Sequence, residues 1–257
     1  MGFATTVGFF GNLNERRGNN GVAATALTFT VTSPATIYQS TAFAQFGNAS
    51  MFQNSTSYIS NTSSAGSVAL NDFTVEGWIY IPTARTSAQN AIPFSSATSG
   101  ALGIRFGNNG ASDTNLNLIQ VFRRGTADGE YATITWPRDQ WNHWVAQRTG
   151  GGTANAQINF WVNGTKLTTL AGRTSNVANI SFTASTSFAF GSAQGVEGLR
   201  GCYLDEFCLT VGNGAARYDT VGNIVVPTQP FQTDVANVVI MHFNAANGST
   251  TFNNATT

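Results

Sequence analysis

Short runs of apolar and polar residues, broken by Gly and Asn, recur along the chain from about residue 23 onward. ALTFTV (26–31), FTVEGWIYI (73–81), LNLIQVF (116–122), YATITW (131–136), WNHWVAQR (141–148), INFWVNGTKL (158–167), SFAFG (187–191), GCYLDEFCLT (201–210) and VVIMHF (238–243) each have the length of a strand. In FTVEGWIYI, Phe73, Val75, Gly77, Ile79 and Ile81 fall on one face and Thr74, Glu76, Trp78 and Tyr80 on the other. That is the two-residue period of a strand. WNHWVAQR separates Trp141, His143, Val145 and Gln147 from Trp144, Ala146 and Arg148. Aromatics on both of its faces predict a central strand buried on both sides. Asn163-Gly164 between INFWV and TKL predicts a tight hairpin. In GCYLDEFCLT, Asp205-Glu206 interrupts the alternation, which predicts either a β-bulge or a carboxylate pair at a sheet edge. No helix of three turns is predicted; the best candidate, Ala215 to Tyr218, is one turn at most. Many short strands with Gly/Asn turns predict an all-β domain over residues 23–257, either a sandwich, of which a two-sheet antiparallel jelly roll is the expected kind, or a barrel.

Residues 1–22 read differently. Gly and Asn punctuate them, their charges cluster at Glu15, Arg16 and Arg17, and Phe3, Phe9 and Phe10 follow no period. Aromatics on a loose segment predict an arm that docks onto something, with Phe3, Phe9, Phe10, Arg16 and Arg17 as its contacts. A strand lying on the domain itself is the alternative.

Composition narrows the function. Charged residues make up 9% of the chain and the net charge is zero, so general electrostatic attraction to nucleic acid or anionic membrane is not expected. A surface this poor in charge disperses badly as a free solute and suits a protein packed against others. The opening MGFATTVGFFGNLNERRGNN has no basic segment leading into an apolar stretch, so synthesis in the cytoplasm without a secretory leader is expected. No run approaches the roughly 20 apolar residues that span a bilayer. Cys202 and Cys208 would stand roughly 20 Å apart along one strand, too far for a disulfide, and are expected as buried free thiols.

Chemistry is sparse. His143 and His242 each sit inside a β-run, and no nucleophile elbow, zinc spacing or phosphate loop occurs. Asp205 and Glu206 are neighbours on a strand, so strict alternation sends them to opposite faces, away from one glycosidic bond. The chain is expected not to be an enzyme. Glycan platforms use an exposed aromatic face with polar groups around it. Trp78, Tyr80, Trp136, Trp161 and Tyr203, with Arg123 and Arg124, are the candidate ligand contacts.

Several segments together resemble the laminin-G-like, or concanavalin A-like, jelly-roll superfamily, and are most similar to its versions in bacteriophage virion and fibre proteins. They run in order: FGNASMFQNSTSYIS (46–60), DFTVEGWIYIP (72–82), WNHWVAQR (141–148), FWVNGTKL (160–167), GCYLDEFCLT (201–210), ARYD (216–219) with Pro227, Pro230-Phe231 and Asp234, and VVIMHFN (238–244). The resemblance covers residues 36 to about 250. It implies two curved antiparallel sheets and, through the phage versions, a virion structural protein: a capsid decoration, head-fibre or knob-like surface protein, anchored by its N-terminal arm. The expected partners are other virion proteins of capsid or tail, further copies of the chain in a homo-oligomer such as a trimer, and a host glycan. A tail-fibre or other adhesin that recognises host cell-surface glycans is the alternative. Relatives of this fold often hold calcium; Asp205, Asp113 and Asp128 are the ligands it could use here, and no other cofactor is expected.

Overall fold

The computed structural model describes residues 29–31, 37–54, 58–61, 67–85, 90–96, 98–107, 116–126, 128–170, 177–185, 187–190, 198–212, 215–232, 237–249 and 252. The predicted arm, with Phe3, Phe9, Phe10, Arg16 and Arg17, lies outside the described residues, as does Asp113.

In chain order the strands are β1 (Thr30–Val31), β2 (Ile37–Ser40), β3 (Ser50–Gln53), β4 (Ile59–Asn61), β5 (Phe73–Tyr80), β6 (Ala91–Ser96), β7 (Leu102–Phe106) and β8 (Leu118–Arg123). They continue as β9 (Gly129–Thr133), β10 (Trp141–Thr149), β11 (Gln157–Val162), β12 (Thr165–Leu167), β13 (Phe188–Phe190), β14 (Cys202–Val211) and β15 (Asn237–Met241). No helix occurs among the described residues; Ala215 to Tyr218, the predicted single turn, is irregular chain.

Two antiparallel sheets form. One has the order β1-β4-β13-β6-β7-β8-β9; the other runs β12-β11-β10-β5-β14-β3-β2, with β15 also paired to β14. This is the expected all-β two-sheet sandwich. The inward positions of the alternating runs meet between the sheets: Phe73, Val75 and Ile79 of β5, Trp144 and Ala146 of β10, and Phe207 and Leu209 of β14 pack with Phe94, Ile104, Phe106 and Val121 of the facing sheet. β10 sits third from the β12 edge of its sheet and is buried along all but its end residues, as its aromatics on both faces predict. The hairpin forms at Asn163 (φ 48°) and Gly164 (φ 80°), both left-handed, so the two-residue turn follows the twist of β11 and β12.

Arg148 closes one end of the core. Its guanidinium is fully buried between the rings of Phe73 and Phe182, 5.1 Å from each centroid. It donates to the carbonyls of Asn71 (2.9 Å), Ala69 (2.7 Å) and Ile180 (3.1 Å), tying two loops to β10. Burial lowers its pKa to about 10, against the opposing pull of Asp72. The buried thiols divide by face: Cys202 joins the core between the sheets and Cys208 the outer side of β14, so neither is in a disulfide.

Candidate functional site

The outer face of the eight-stranded sheet is divided into a sealed half and an open half. In the sealed half, polar side chains of β5 and β10 bind the segment 215–232 that crosses above them. Glu76 accepts from Arg217 Nη1 (2.9 Å) and from the Tyr218 hydroxyl (2.6 Å), and lies 3.3 Å from His143 Nε2. Gln147 pairs with the backbone of Tyr218, accepting its N–H at 3.0 Å and donating to its carbonyl at 2.9 Å. Glu76 and Gln147 thus meet partners as they leave water.

The bulge in β14 supplies two more tethers. Between Asp205 and Cys208 the register with β5 slips, and Glu206 takes a left-handed φ of 47°. The extra residue brings both carboxylates to the outer side, where strict alternation would have separated them. Asp205 accepts the amides of Gln45 (2.9 Å), Phe46 (3.1 Å) and Glu206 (2.9 Å). Glu206 accepts the Phe231 amide at 2.8 Å and contacts His242 Nδ1 at 2.7 Å. Phe46 and Phe231 belong to one cluster with Trp78, Cys208 and Ile240, which fixes the shared side. β14 is also no edge strand: β5 lies on one flank, and β3 and then β15 on the other. The carboxylates fill the gap between those two successive partners. Burial pushes the Asp205 carboxyl up to about 7, against the lowering effect of its amide donors. The bond to Glu206 raises the His242 pKa.

The open half carries an aromatic row. In register across five strands stand Tyr38 (β2), Phe52 (β3), Tyr203 (β14), Tyr80 (β5) and Trp141 (β10), each directly opposite the next. Their ring centroids follow at 5.4, 4.6, 5.9 and 5.7 Å, within the range of favourable aromatic pairing. The row crosses four strand spacings, roughly 19 Å. Tyr38, Phe52, Tyr203 and Trp141 remain part-exposed. Phe43, from the loop that Asp205 tethers, stacks on Tyr80 at 4.2 Å and meets Tyr203 edge-on at 4.9 Å. Burial raises the pKa of Tyr80 and Tyr203, with Asp139 adding to the first and Tyr38 and Tyr80 to the second. Both hydroxyls therefore stay protonated at neutral pH.

A cleft of about 530 Å³ opens beside the row, floored by Phe52, Tyr80 and Tyr203 and rimmed by Asn54, Arg85, Asp139 and Arg200. Arg85 Nε donates to the Arg200 carbonyl at 3.1 Å, joining two walls. Asp139 accepts from Thr83 at both oxygens, 2.8 Å from its amide and 2.6 Å from its hydroxyl, and those bonds lower its pKa. Gly201 has φ 85°, and a Cβ there would point between Arg85 and Asn54, so its lack of a side chain keeps this part of the cleft clear.

Of the sequence-predicted contacts, Tyr80 and Tyr203 come together in this row. Trp78 shares their face but lies buried beneath Phe46, ring centroids 5.7 Å apart. Trp136 is inside the sandwich, its indole donating to Leu116 O at 2.7 Å, because the chain turns inward after β9. Trp161 lies on the outer face but is covered by 218–224, with its indole bonded to Gly222 O at 2.8 Å. Arg123 pairs with Asp128 at 3.0 Å and Arg124 is buried against Ser95, both in the other sheet and its turn. Those five are not presented to a ligand in the cleft. For a metal, no group of three or more His, Cys, Asp or Glu gathers among the described residues. The oxygens of Asp205 are taken by amides and Asp128 holds Arg123, so neither offers the open oxygen set that calcium requires. Tyr38, Phe43, Phe52, Trp141, Arg85, Asp139 and Arg200 are the site residues that sequence reasoning missed. The one local signal was an aromatic at an outward position near the end of each strand.

No curated protein matches the chain. Among solved structures, the binding domain of botulinum neurotoxin serotype G is similar at 12% identity and a TM-score of 0.49, over 75% of this chain and 50% of that one. The chain thus spans half the length of that binding domain. Domain 4 of an extracellular arabinanase from Geobacillus stearothermophilus, solved with arabinotriose, is similar at 17% identity and a TM-score of 0.47, over 77% and 84% of the two chains. A heptameric pentraxin of Limulus polyphemus gives 13% identity, a TM-score of 0.41, and 72% and 74% coverage. The family model described as the concanavalin A-like lectin/glucanases superfamily matches residues 53–209. Because that match takes in more than half the chain and most of the cleft, this protein belongs to the concanavalin A-like lectin/glucanases superfamily.

Proposed function

We propose that this chain is a saccharide-recognition module that works by binding alone. The observation that carries the reading is the in-register row Tyr38–Phe52–Tyr203–Tyr80–Trp141, left part-exposed beside a polar-rimmed cleft. Sugars present apolar ring faces edged by hydroxyls, and flat aromatic surface with polar side chains at its margin is the matching chemistry. Support for a non-catalytic role comes from the acids. The cleft lining contains one carboxylate, Asp139, whose oxygens are engaged by Thr83, whereas glycoside hydrolysis ordinarily uses two. Asp205 and Glu206 are buried under loops and occupied as tethers.

The test is a glycan array probed with the full chain, followed by titration of the best ligand into Tyr203→Ala and Phe52→Ala. Loss of roughly ten-fold or more in affinity from either change is expected, from the size of aromatic contacts. Retention of no glycan, or unchanged affinity in both variants, overturns the reading.

We further propose that the module serves on a phage virion, as a capsid decoration, head-fibre or knob-like protein in contact with other virion proteins and its own copies. The support is a chain with 9% charged residues and no net charge, suited to a surface that remains packed. Immunogold labelling of purified particles tests it; virions without label rule it out.

A further inference from the structure

The loop that joins β2 to β3 takes a route its strands do not require. β2 and β3 are paired neighbours, with Ser40 opposite Ser50, so residues 41–49 could close the hairpin beyond the end of the sheet. They fold back over the outer face instead, and carry Phe43 past β3 and β14 to Tyr80 on β5. There its ring stacks on Tyr80, centroids 4.2 Å apart, and meets Tyr203 edge-on at 4.9 Å. Tyr80 is left 8% exposed, while the other four rings of the row stay part-exposed. The row is therefore interrupted at Tyr80. Tyr38, Phe52 and Tyr203 lie on one side of the interruption and Trp141 on the other.

The interruption is a fixture. The Ser50 hydroxyl donates to the carbonyl of Phe43 itself at 2.6 Å, and the Ala42 amide donates to the Ser40 hydroxyl at 3.2 Å. Beyond Phe43, the amides of Gln45 and Phe46 donate to Asp205 at 2.9 and 3.1 Å, and the Phe46 ring stands edge-on to Trp78. Bonds on both sides of Phe43 keep its ring from swinging clear. A sugar taking its place would gain Tyr80 and Tyr203 only by sending an apolar phenyl ring into water, a poor exchange.

A pyranose ring is about as broad as a phenyl ring, so each open ring of the row offers room for about one sugar. Tyr38, Phe52 and Tyr203 cross two strand spacings, roughly 10 Å, against roughly 19 Å for the whole row. Phe43 also stands in the wall of the cleft that Phe52 and Tyr203 floor. A linear glycan laid along the row thus meets Phe43 after about three sugars.

We infer that Phe43 sets the length of glycan that the platform accepts: it stops the row at Tyr203, so a linear sugar chain is received by one end over about three rings. This rests on the saccharide-recognition reading given above and specifies how that site measures its ligand. Sugars beyond the third project into water and add nothing to affinity.

The test compares trimers with hexamers. The full chain is probed on an array printed with cello-, xylo-, manno-, arabino- and malto-oligosaccharides at both lengths, and the best-retained series is titrated calorimetrically. In the wild type the two lengths are expected to bind within about two-fold of each other. In Phe43→Ala the row runs unbroken from Tyr38 to Trp141, and the hexamer is expected to bind about ten-fold or more tightly than the trimer. Phe43→Tyr keeps a ring over Tyr80 and should return the ratio to about one. The readout is the ratio within each protein, because a general loss of affinity or stability lowers both lengths together. A thermal melt of each variant accompanies it.

A wild-type hexamer bound ten-fold more tightly than its trimer, or a ratio still near one in folded Phe43→Ala, overturns the role of Phe43 and leaves saccharide recognition standing. Retention of none of these series also overturns it, and retention of no glycan of any kind overturns the saccharide reading as well.

Discussion

Replacing Asp205 by Asn should change how the protein's stability responds to pH. Asp205 is wholly buried and its carboxyl is pushed up to about 7 from an ordinary 3.8, with burial outweighing the amide donors of Phe46 and Gln45. A group that holds its proton more tightly when folded stabilises the fold below its unfolded pKa, and that contribution is lost as pH rises through the folded one. The loss therefore runs from about pH 4 to about pH 7. At about 1.4 kcal/mol per pH unit, a window of about three units amounts to about 4 kcal/mol, of which about 3 kcal/mol falls between pH 5 and pH 8.

Asn cannot ionise, so this slope should vanish in Asp205→Asn. One amide bond is sacrificed: Oδ2 of Asp205 receives Gln45 and Phe46, and Oδ1 receives Glu206, whereas Asn has one carbonyl oxygen. At pH 5 the variant should be less stable than the wild type by about 1 kcal/mol. By pH 8 the order should reverse. Urea unfolding at both pH values supplies the two differences. His242, whose pKa is also raised, adds a loss of stability of the same sign as pH rises, but it is present in both proteins and largely cancels in the comparison. Parallel wild-type and variant curves from pH 5 to pH 8 would mean that the amides keep Asp205 ionised throughout, and the reasoning would fail.

Arg148→Met leaves the carbonyls of Ala69, Asn71 and Ile180 without their donor; relief of the buried charge offsets part of this, and a net loss of about 2–4 kcal/mol is expected in urea unfolding. Gly164→Val would place a Cβ 2.7 Å from the Ile224 carbonyl at a φ of 80°, so the melting temperature should fall by several degrees, the effect of about 2 kcal/mol or more. Cys202 has its thiol pushed up to about 11 by burial, so a thiol reagent at pH 8 should leave it unmodified in the native protein and label it promptly in urea, as read by mass spectrometry.

The parts of the fold legible in the sequence are those where one strand faces two different environments. β5, β10 and β14 each turn apolar residues inward and polar or aromatic ones outward, and the Asn-Gly hairpin carries its own turn chemistry. β6 and β7 escape that reading for a local reason. Pro93 sits in β6 where its register slips, and Gly103 interrupts β7 because the Phe122 ring occupies the space a Cβ would take, 2.4 Å away. The carboxylate pair misleads in the same way: alternation is a rule for regular strands, and one left-handed residue at Glu206 cancels it. The aromatic row is least legible of all. Its members come from positions 38, 52, 80, 141 and 203, and only the pairing register of five strands places them in line.

The division of the outer face into sealed and open halves follows from which side chains each half carries. Glu76, Gln147, Asp205 and Glu206 cannot be withdrawn from water without partners, so the half they occupy must be roofed by chain that supplies them. Aromatic rings carry no such requirement and tolerate a wet surface at modest cost, so the row can be left open. The roof over the charged half thus leaves the aromatic half as the open part of the outer face. The two halves meet at Asp205, whose bonds to Gln45 and Phe46 hold the loop that lays Phe43 across Tyr80 and Tyr203. A ring from the protein itself rests on this platform, and the bonds of Asp205 to that loop hold it there.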